Sequence, residues 1–225
     1  LGATAVFQAC RPWKTWPMDT PWIVQGLRNA MLYFGATLAL KGMTTVDRYM
    51  VQHTSSSEVV GAYVAYIGIG MTLINLLDAA VFAPIFPRLI RFHAAGDQSA
   101  YEKQYKALRN QTWALSILAS LISCFIAPFV FRWADKPIYL THMSIYYVVV
   151  IGVFFYAVSM VPHYALYARR KDKAIVGTQI GALLPFALTF AMTSSQFPAE
   201  SAALSLAVAF AFMFTLKAVL NRSHG

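Results

Sequence analysis

The 225-residue chain is 58% hydrophobic and only 12% charged, and its mean hydropathy is +0.54. A soluble domain carries about a quarter charged residues, so this composition excludes an ordinary water-soluble domain and predicts a chain that lies mostly in a lipid bilayer. The net charge of +9 does not indicate a nucleic-acid partner, because the basic residues form short clusters between apolar runs rather than one soluble face.

The N-terminal segment is apolar up to Cys10 and begins with Leu1 rather than methionine. It has no charged start and cleavage site of a signal peptide. We therefore interpret residues 1–21 as the tail of a preceding helix plus a cytoplasmic loop, within a fragment of a longer protein. Cys10 and Cys124 are far apart in the chain, which argues against a disulfide or metal pair.

Six apolar segments follow that are long enough to cross a bilayer. A transmembrane helix needs about 20 apolar residues. The segments are 22–46, 58–87, 112–131, 142–167, 174–193 and 200–220. Alternation with a period of two, as in a β-barrel, is absent from the sequence. The sequence thus predicts an all-α polytopic membrane bundle, with residues 22–225 forming one six-helix transmembrane lobe.

The basic residues of the connections alternate between two sides. One set of alternate connections holds thirteen lysines and arginines, whereas the other set holds four. Because basic loops stay in the cytoplasm, the larger set predicts that both ends of the chain are cytoplasmic. The larger set is Arg11, Lys14, Arg88, Arg91, Lys103, Lys106, Arg109, Arg169, Arg170, Lys171, Lys173, Lys217 and Arg222; the smaller is Lys41, Arg48, Arg132 and Lys136.

The connection before the third span contains a capping-box pattern, with Ser99 followed by Glu102. This pattern predicts a helix that begins near Ala100. Two interpretations remain open: an amphipathic helix at the cytoplasmic interface, or a third span that extends into the cytosol.

Two charged residues fall inside predicted spans, where charge is costly. Arg28 lies in the first span near Gln25 and Asn29, and Asp78 lies in the second span three residues after Asn75. We interpret these five residues as candidates for a water-filled cavity, in which Arg28 holds an anionic head group and Asp78 is its resting partner or a proton carrier. The alternatives are an interhelical salt bridge or, for Arg28, snorkelling to the interface.

His163 is the remaining cavity candidate. It shares one face of the fourth span with Tyr156, Ser159 and Tyr167. A histidine there titrates near neutral pH if it is solvated, but a buried, hydrogen-bonded histidine is the favoured interpretation. The other histidines show no metal-site spacing. We expect no metal and no cofactor, and coupling to H+ or Na+ is left open.

Prolines lie in or at the ends of several spans, and they predict kinked or broken helices. Such helices are common in transporters that rock between two states, although other membrane proteins also contain them. The prolines are Pro84, Pro87, Pro128, Pro162 and Pro185.

Three short motifs resemble a known family. They are Asp47-Arg48-Tyr-Met-Val, then Val-Gly61-Ala-Tyr63, then Phe-Ala-Pro84-Ile-Phe-Pro87-Arg. Together with the basic turn at Arg169–Lys171 they resemble the Wzx-type polysaccharide flippases (O-antigen, capsule or exopolysaccharide) of the MATE-like MOP exporter superfamily. In that family an Asp-Arg pair ends one helix, a Gly-x-Tyr begins the next, and a proline closes it.

The resemblance implies that this chain is the C-terminal half of a flippase with two such lobes around a central cavity. It implies a substrate, a polyprenyl-diphosphate-linked oligosaccharide that moves across the bacterial inner membrane by alternating access for polysaccharide or lipopolysaccharide biosynthesis. Asp47 and Arg48 carry over as motif residues with a structural or gating role. The expected partners are this lipid-linked oligosaccharide, membrane lipid and a polysaccharide polymerase machinery.

Three other functions are considered. A drug or cation exporter of the same superfamily prefers acidic cavity residues, and only Asp78 is available. A membrane glycosyltransferase or polysaccharide polymerase usually has a large external loop or a carboxylate cluster, and the external loops here are short and poor in acids. A purely structural or assembly subunit is the third. We therefore expect a transporter rather than an enzyme.

Overall fold

A computed structural model describes residues 20–222, except for the side chain of Asn29. Within that range the chain is helical and contains no strand, as predicted for an all-α bundle. We number the helices α1 (Thr20–Thr54), α2 (Ser57–Ala94), α3 (Gln98–Trp133), α4 (Pro137–Thr141), α5 (Met143–Ala168), α6 (Asp172–Thr193) and α7 (Ser201–Arg222).

Five of these helices, α2, α3, α5, α6 and α7, are long and apolar enough to cross a membrane. The chain is therefore a multi-pass membrane protein, and five of the six predicted spans are confirmed by length and composition. The predicted first span, 22–46, is not among the five. Its helix α1 is 35 residues long, but Arg28, Lys41, Asp47 and Arg48 lower its hydropathy.

Contacts divide the chain into two compact units, residues 1–34 and residues 35–225. The first unit contributes the beginning of α1, whose described residues are mostly exposed. The second unit contains the rest of α1 and all the other helices. The interpretation of residues 1–21 as the tail of a preceding helix falls almost entirely outside the described residues and stays a prediction.

Helix α2 is continuous but contains a π-helical turn near its middle, Asp78–Phe82. The Ala83 N–H bonds to the Asp78 carbonyl five residues back, instead of four. Pro84 follows directly and cannot donate a backbone hydrogen bond, so the altered turn lies where the regular ladder is interrupted. Helix α6 is interrupted at Ala182, shortly before Pro185, whereas Pro128 and Pro162 lie inside continuous helices.

Helix α3 runs without a break from the cap at Asp97 to Trp133. The extended third span is therefore the correct interpretation, and a separate interfacial helix is not formed. The predicted cap was wrong in detail: the side chain of Asp97, not Ser99, accepts from the Ala100 N–H at 3.0 Å. Asp97 lies two residues earlier, and its carboxylate is the better partner for the positive helix N-terminus.

Helices α5 and α7 form the centre of the bundle and pack along their length. They approach closely at Gly152, where an added Cβ would lie 3.3 Å from the Ala207 Cα. Gly70 of α2 similarly faces Val153, because an added Cβ would lie 2.6 Å from its Cγ2. Small residues at such contacts allow helix backbones to approach in a membrane, where van der Waals packing drives association.

The helix order places the chain connections at two ends. We call "the basic end" the one formed by the α2–α3 connection, the α5–α6 turn and the last residues of α7. Contacts such as Asn221–Tyr105 and Arg169–Asn221 hold it together. The other end, formed by the α1–α2, α3–α5 and α6–α7 connections, is "the opposite end". We call the half of the bundle next to the basic end "the basic half" and the half next to the opposite end "the opposite half".

Candidate functional site

Asp47 and Tyr63 connect α1 to α2 deep in the opposite half. Both side chains are fully buried, and the Tyr63 hydroxyl donates to Asp47 Oδ2 at 2.7 Å. Asp47 Oδ1 accepts from the Arg48 backbone N–H, also at 2.7 Å, so both carboxylate oxygens have a donor. The Arg48 side chain is exposed. The two motifs thus contact each other directly, a pairing that sequence spacing alone did not predict.

Other polar groups of the opposite half are also paired. The Tyr66 hydroxyl donates to the Tyr139 carbonyl at 2.8 Å, and Ser123 hydrogen-bonds the Tyr146 hydroxyl. Near the connections, Thr54 donates to the Pro198 carbonyl at 2.7 Å. The rings of Tyr66, Tyr139 and Tyr146 pack edge-on or tilted against one another and Phe131. This half is an aromatic core with satisfied hydroxyl groups.

Asp78 begins the π-helical turn of α2 and is exposed, as is Asn75 one turn earlier. Its carboxylate is close enough to interact electrostatically with the hydroxyls of Tyr156 and Tyr164 on α5. Among residues 35–222 no ion pair or side-chain hydrogen bond holds it. A charged residue within a transmembrane helix is costly, and both such residues and π-helical turns are often functional.

An apolar groove of about 480 Å3 runs between α2 and α3 and opens on the bundle surface. Leu77 and Ala80, which flank Asp78 in sequence, are part of its wall. Leu118 and Ile122 of α3 form the facing wall. The groove therefore has almost no polar lining, and Asp78 is not part of it. A long apolar chain fits such a groove.

Arg28 and Gln25 are exposed on α1 and belong to the first unit. Asn29 lies on the same helix, but its side chain is outside the described part of the chain. Asn75, Asp78 and His163 belong to the second unit. A shared cavity for these residues, or an ion pair between Arg28 and Asp78, stays a prediction.

His163 lies on α5, and its Nδ1 is buried without a hydrogen-bond partner among the described residues. The favoured interpretation, a buried, hydrogen-bonded histidine, thus finds no partner for Nδ1 within residues 20–222 and stays a prediction for the rest of the ring. The ring is close enough to Lys217 of α7 to interact with its charge. Two polar groups from the two central helices thus meet inside the basic half.

Lys217 was counted in the sequence as a cytoplasmic loop charge, and this was wrong. Its side chain is 1% exposed, and it lies within α7. No ion pair or hydrogen bond to the ammonium is found among residues 20–222. Lys217 is the functional candidate that sequence reasoning missed. The available signal was its position, because five residues of α7 follow it before the helix ends at Arg222.

The basic half also contains every buried side-chain atom that lacks a partner in the described range. These atoms are Tyr101 OH, Thr112 Oγ1, Ser116 Oγ, His163 Nδ1 and Asn221 Oδ1. Thr112 and Ser116 lie on one face of α3, one turn apart. Unpaired buried polar atoms are rare in folded proteins and often mark a site for water or a ligand. Residues 20–222 hold no cluster of three or more histidines, cysteines or acids suited to a metal ion.

A comparison with protein-family models, curated proteins and solved structures finds no match to this chain. The site is therefore described here from its own geometry.

Proposed function

We propose that this chain is part of a membrane transporter that moves a lipid-linked oligosaccharide, anchored by a polyprenyl diphosphate, across the bacterial inner membrane. The observation that carries the proposal is the π-helical turn of α2, which begins at Asp78, while Leu77 and Ala80 on another face of the same helix line an apolar groove. This arrangement suits a lipid-linked oligosaccharide, because sugar hydroxyls can donate to the Asp78 carboxylate and the polyprenyl chain can lie in the groove, whereas the diphosphate, which a carboxylate repels, is assigned to Arg28. π-Helical turns are frequent at functional sites.

The motif resemblance narrows the substrate class to a lipid-linked oligosaccharide. The Asp-Arg and Gly-x-Tyr motifs that carry the resemblance are joined by the Asp47–Tyr63 hydrogen bond. The two motifs therefore join two consecutive helices, which supports a structural role or a role in gating the transporter. The positive-inside pattern orients the basic end toward the cytoplasm, where the diphosphate would be loaded.

The test is to delete the gene from its own bacterium and identify the polyprenyl-linked species that accumulates. A complete lipid-linked oligosaccharide on the inner leaflet supports the flippase. An unextended precursor instead identifies a glycosyltransferase or polymerase, and unchanged lipid intermediates contradict the proposal.

Site variants are then expressed from the intact gene in the deletion strain. We expect Arg28→Ala to abolish export while the protein stays inserted in the membrane, because the diphosphate loses its cation. Asp78→Asn should reduce export, since it removes the charge at the π-helical turn. Arg132→Ala, an exposed arginine at the opposite end, is the matched control and should export normally. Normal export by Arg28→Ala would contradict the assigned role of this arginine.

Asp78 also favours a second candidate, an exporter of cationic drugs, since an unpaired carboxylate attracts a cation. Under this alternative the deletion strain becomes sensitive to lipophilic cations and its polysaccharide precursors stay normal. Asp78→Asn would then reproduce the drug sensitivity, whereas Arg28→Ala would not.

A further inference from the structure

Three arginines converge at the basic end around one tyrosine. Arg109 of α3 and Arg222 at the end of α7 line one groove together with Tyr105, and Arg169 after α5 is joined to this groove through Asn221. Asn221 Nδ2 donates to that hydroxyl at 3.1 Å, and Arg169 Nη1 donates to the Asn221 carbonyl at 3.3 Å. Three separate elements are thus tied together at this point.

Among residues 20–222, no carboxylate pairs with this cluster. The groove beside it is about 490 Å3 in volume, and no acidic residue lines it. Among the described residues, none of the three arginines forms an ion pair. Like charges that are held together repel each other, and a bound anion removes this repulsion. Arg169 instead places its guanidinium over the Tyr101 ring, at 5.6 Å from the centroid.

The groove combines this charge with an apolar wall. Arg109, Arg222, Asn110 and Asn221 lie along it, and Trp113 with Phe214 continues the lining toward the middle of the bundle. Arginine pairs with phosphate through two parallel hydrogen bonds, and tryptophan is common at the level of lipid head groups. The buried Asn221 Oδ1 has no donor among residues 20–222, and a hydroxyl of a head group can supply one.

We propose that this groove binds the phosphate head group of an anionic membrane phospholipid, with Arg109 and Arg222 on the phosphate and an acyl chain along Trp113 and Phe214. Basic pockets between transmembrane helices on the cytoplasmic side are suited to anionic lipids. The site lies apart from the groove between α2 and α3, and it does not depend on the substrate that the protein transports.

The experiment measures lipid binding to the purified intact protein by native mass spectrometry, with phosphatidylglycerol as the probe and phosphatidylcholine as the neutral comparison. We compare Arg109→Gln/Arg222→Gln with Arg132→Gln/Lys136→Gln, which removes the same charge at the opposite end. Arg169 is left unchanged because it holds the α5–α6 turn to α7.

We expect the first double variant to bind phosphatidylglycerol at least tenfold more weakly, the second to bind as the unaltered protein does, and phosphatidylcholine to bind equally to all three. An equal loss in both variants, or no loss in either, overturns the proposal. Displacement of phosphatidylglycerol by millimolar inorganic phosphate would identify a free-anion site and overturn the lipid assignment.

A further variant, Arg109→Lys/Arg222→Lys, keeps the charge and keeps the test valid if the glutamine variant does not fold. It should bind phosphatidylglycerol with an intermediate affinity, because lysine lacks the planar two-bond geometry. Binding equal to that of the unaltered protein would contradict the paired arginine contacts.

Discussion

In the opposite half of the bundle the buried Asp47 carboxylate and the hydroxyls of Tyr63 and Tyr66 have hydrogen-bond partners, whereas five buried polar atoms of the basic half have none among residues 20–222. The basic half also buries Lys217 without a counter-ion in the described range. A hydrogen-bonded buried polar group stabilises one arrangement of the helices, whereas a group without a partner loses no hydrogen bond when the helices rearrange or a ligand binds. We therefore expect the helix packing of the opposite half to be more rigid than that of the basic half.

The largest change in stability is expected from Tyr63→Phe, which tests the hydrogen-bonded groups of the opposite half. It removes one oxygen atom but leaves the Asp47 carboxylate buried without its side-chain donor, so the free energy of unfolding should fall by about 3 kcal/mol. Thermal or denaturant unfolding of the purified protein in detergent measures this change. Tyr147→Phe, on an exposed tyrosine, is the control and should unfold like the unaltered protein. Equal stabilities for the two variants would show that the Asp47–Tyr63 bond contributes nothing.

Lys217→Met tests the basic half, and here the free energy of unfolding is expected to rise rather than fall. Removal of this ammonium, which has no partner among residues 20–222, should raise the free energy of unfolding by about 2 kcal/mol, since lysine inside a bilayer costs about 2.5–3.5 kcal/mol on insertion scales. The same unfolding assay applies, with the exposed Lys173→Met as the control at the same end. Destabilisation by Lys217→Met would mean that the ammonium has a partner. A more stable but inactive variant would assign the charge to function rather than to folding.

The smallest effects come from two matched hydroxyl deletions, one in each half. Tyr66→Phe loses the bond to the Tyr139 carbonyl and should cost about 1 kcal/mol. Thr112→Val replaces a buried hydroxyl without a partner and should be neutral or stabilising by up to about 1 kcal/mol. If the two variants change the free energy of unfolding in opposite directions, the difference between the halves is supported. If both variants are destabilised equally, the halves do not differ in this way.

Apolar segment length predicted the membrane bundle, because a span needs little more than enough apolar residues in a row. The same criterion explains the exception at α1, where four charged residues reduce the hydropathy of a helix that is long enough to span. The irregular, π-helical turn in α2 was also predictable, since Pro84 removes a backbone donor from the helix.

Contacts between distant segments were not predictable. The motif residues Asp47 and Tyr63 stand sixteen positions apart in two helices, and no spacing rule indicates that one caps the other. Lys217 was counted among the basic residues of the connections, although it lies inside the predicted span 200–220. Its burial depends on how α7 packs against α5, which a single sequence does not encode in any local pattern.

The close approach of α5 and α7 at Gly152 has a consequence for how the sequence can vary. Any side chain at this position meets the backbone of Ala207 rather than a flexible group that can move aside. In a saturation mutagenesis screen, position 152 should therefore accept only glycine and, with a small shift of the helices, alanine. Gly68 on α2, where an added Cβ has no neighbour within 4 Å, should accept most apolar residues. Tolerance to substitution would in this way trace the central helix pair without any structure determination.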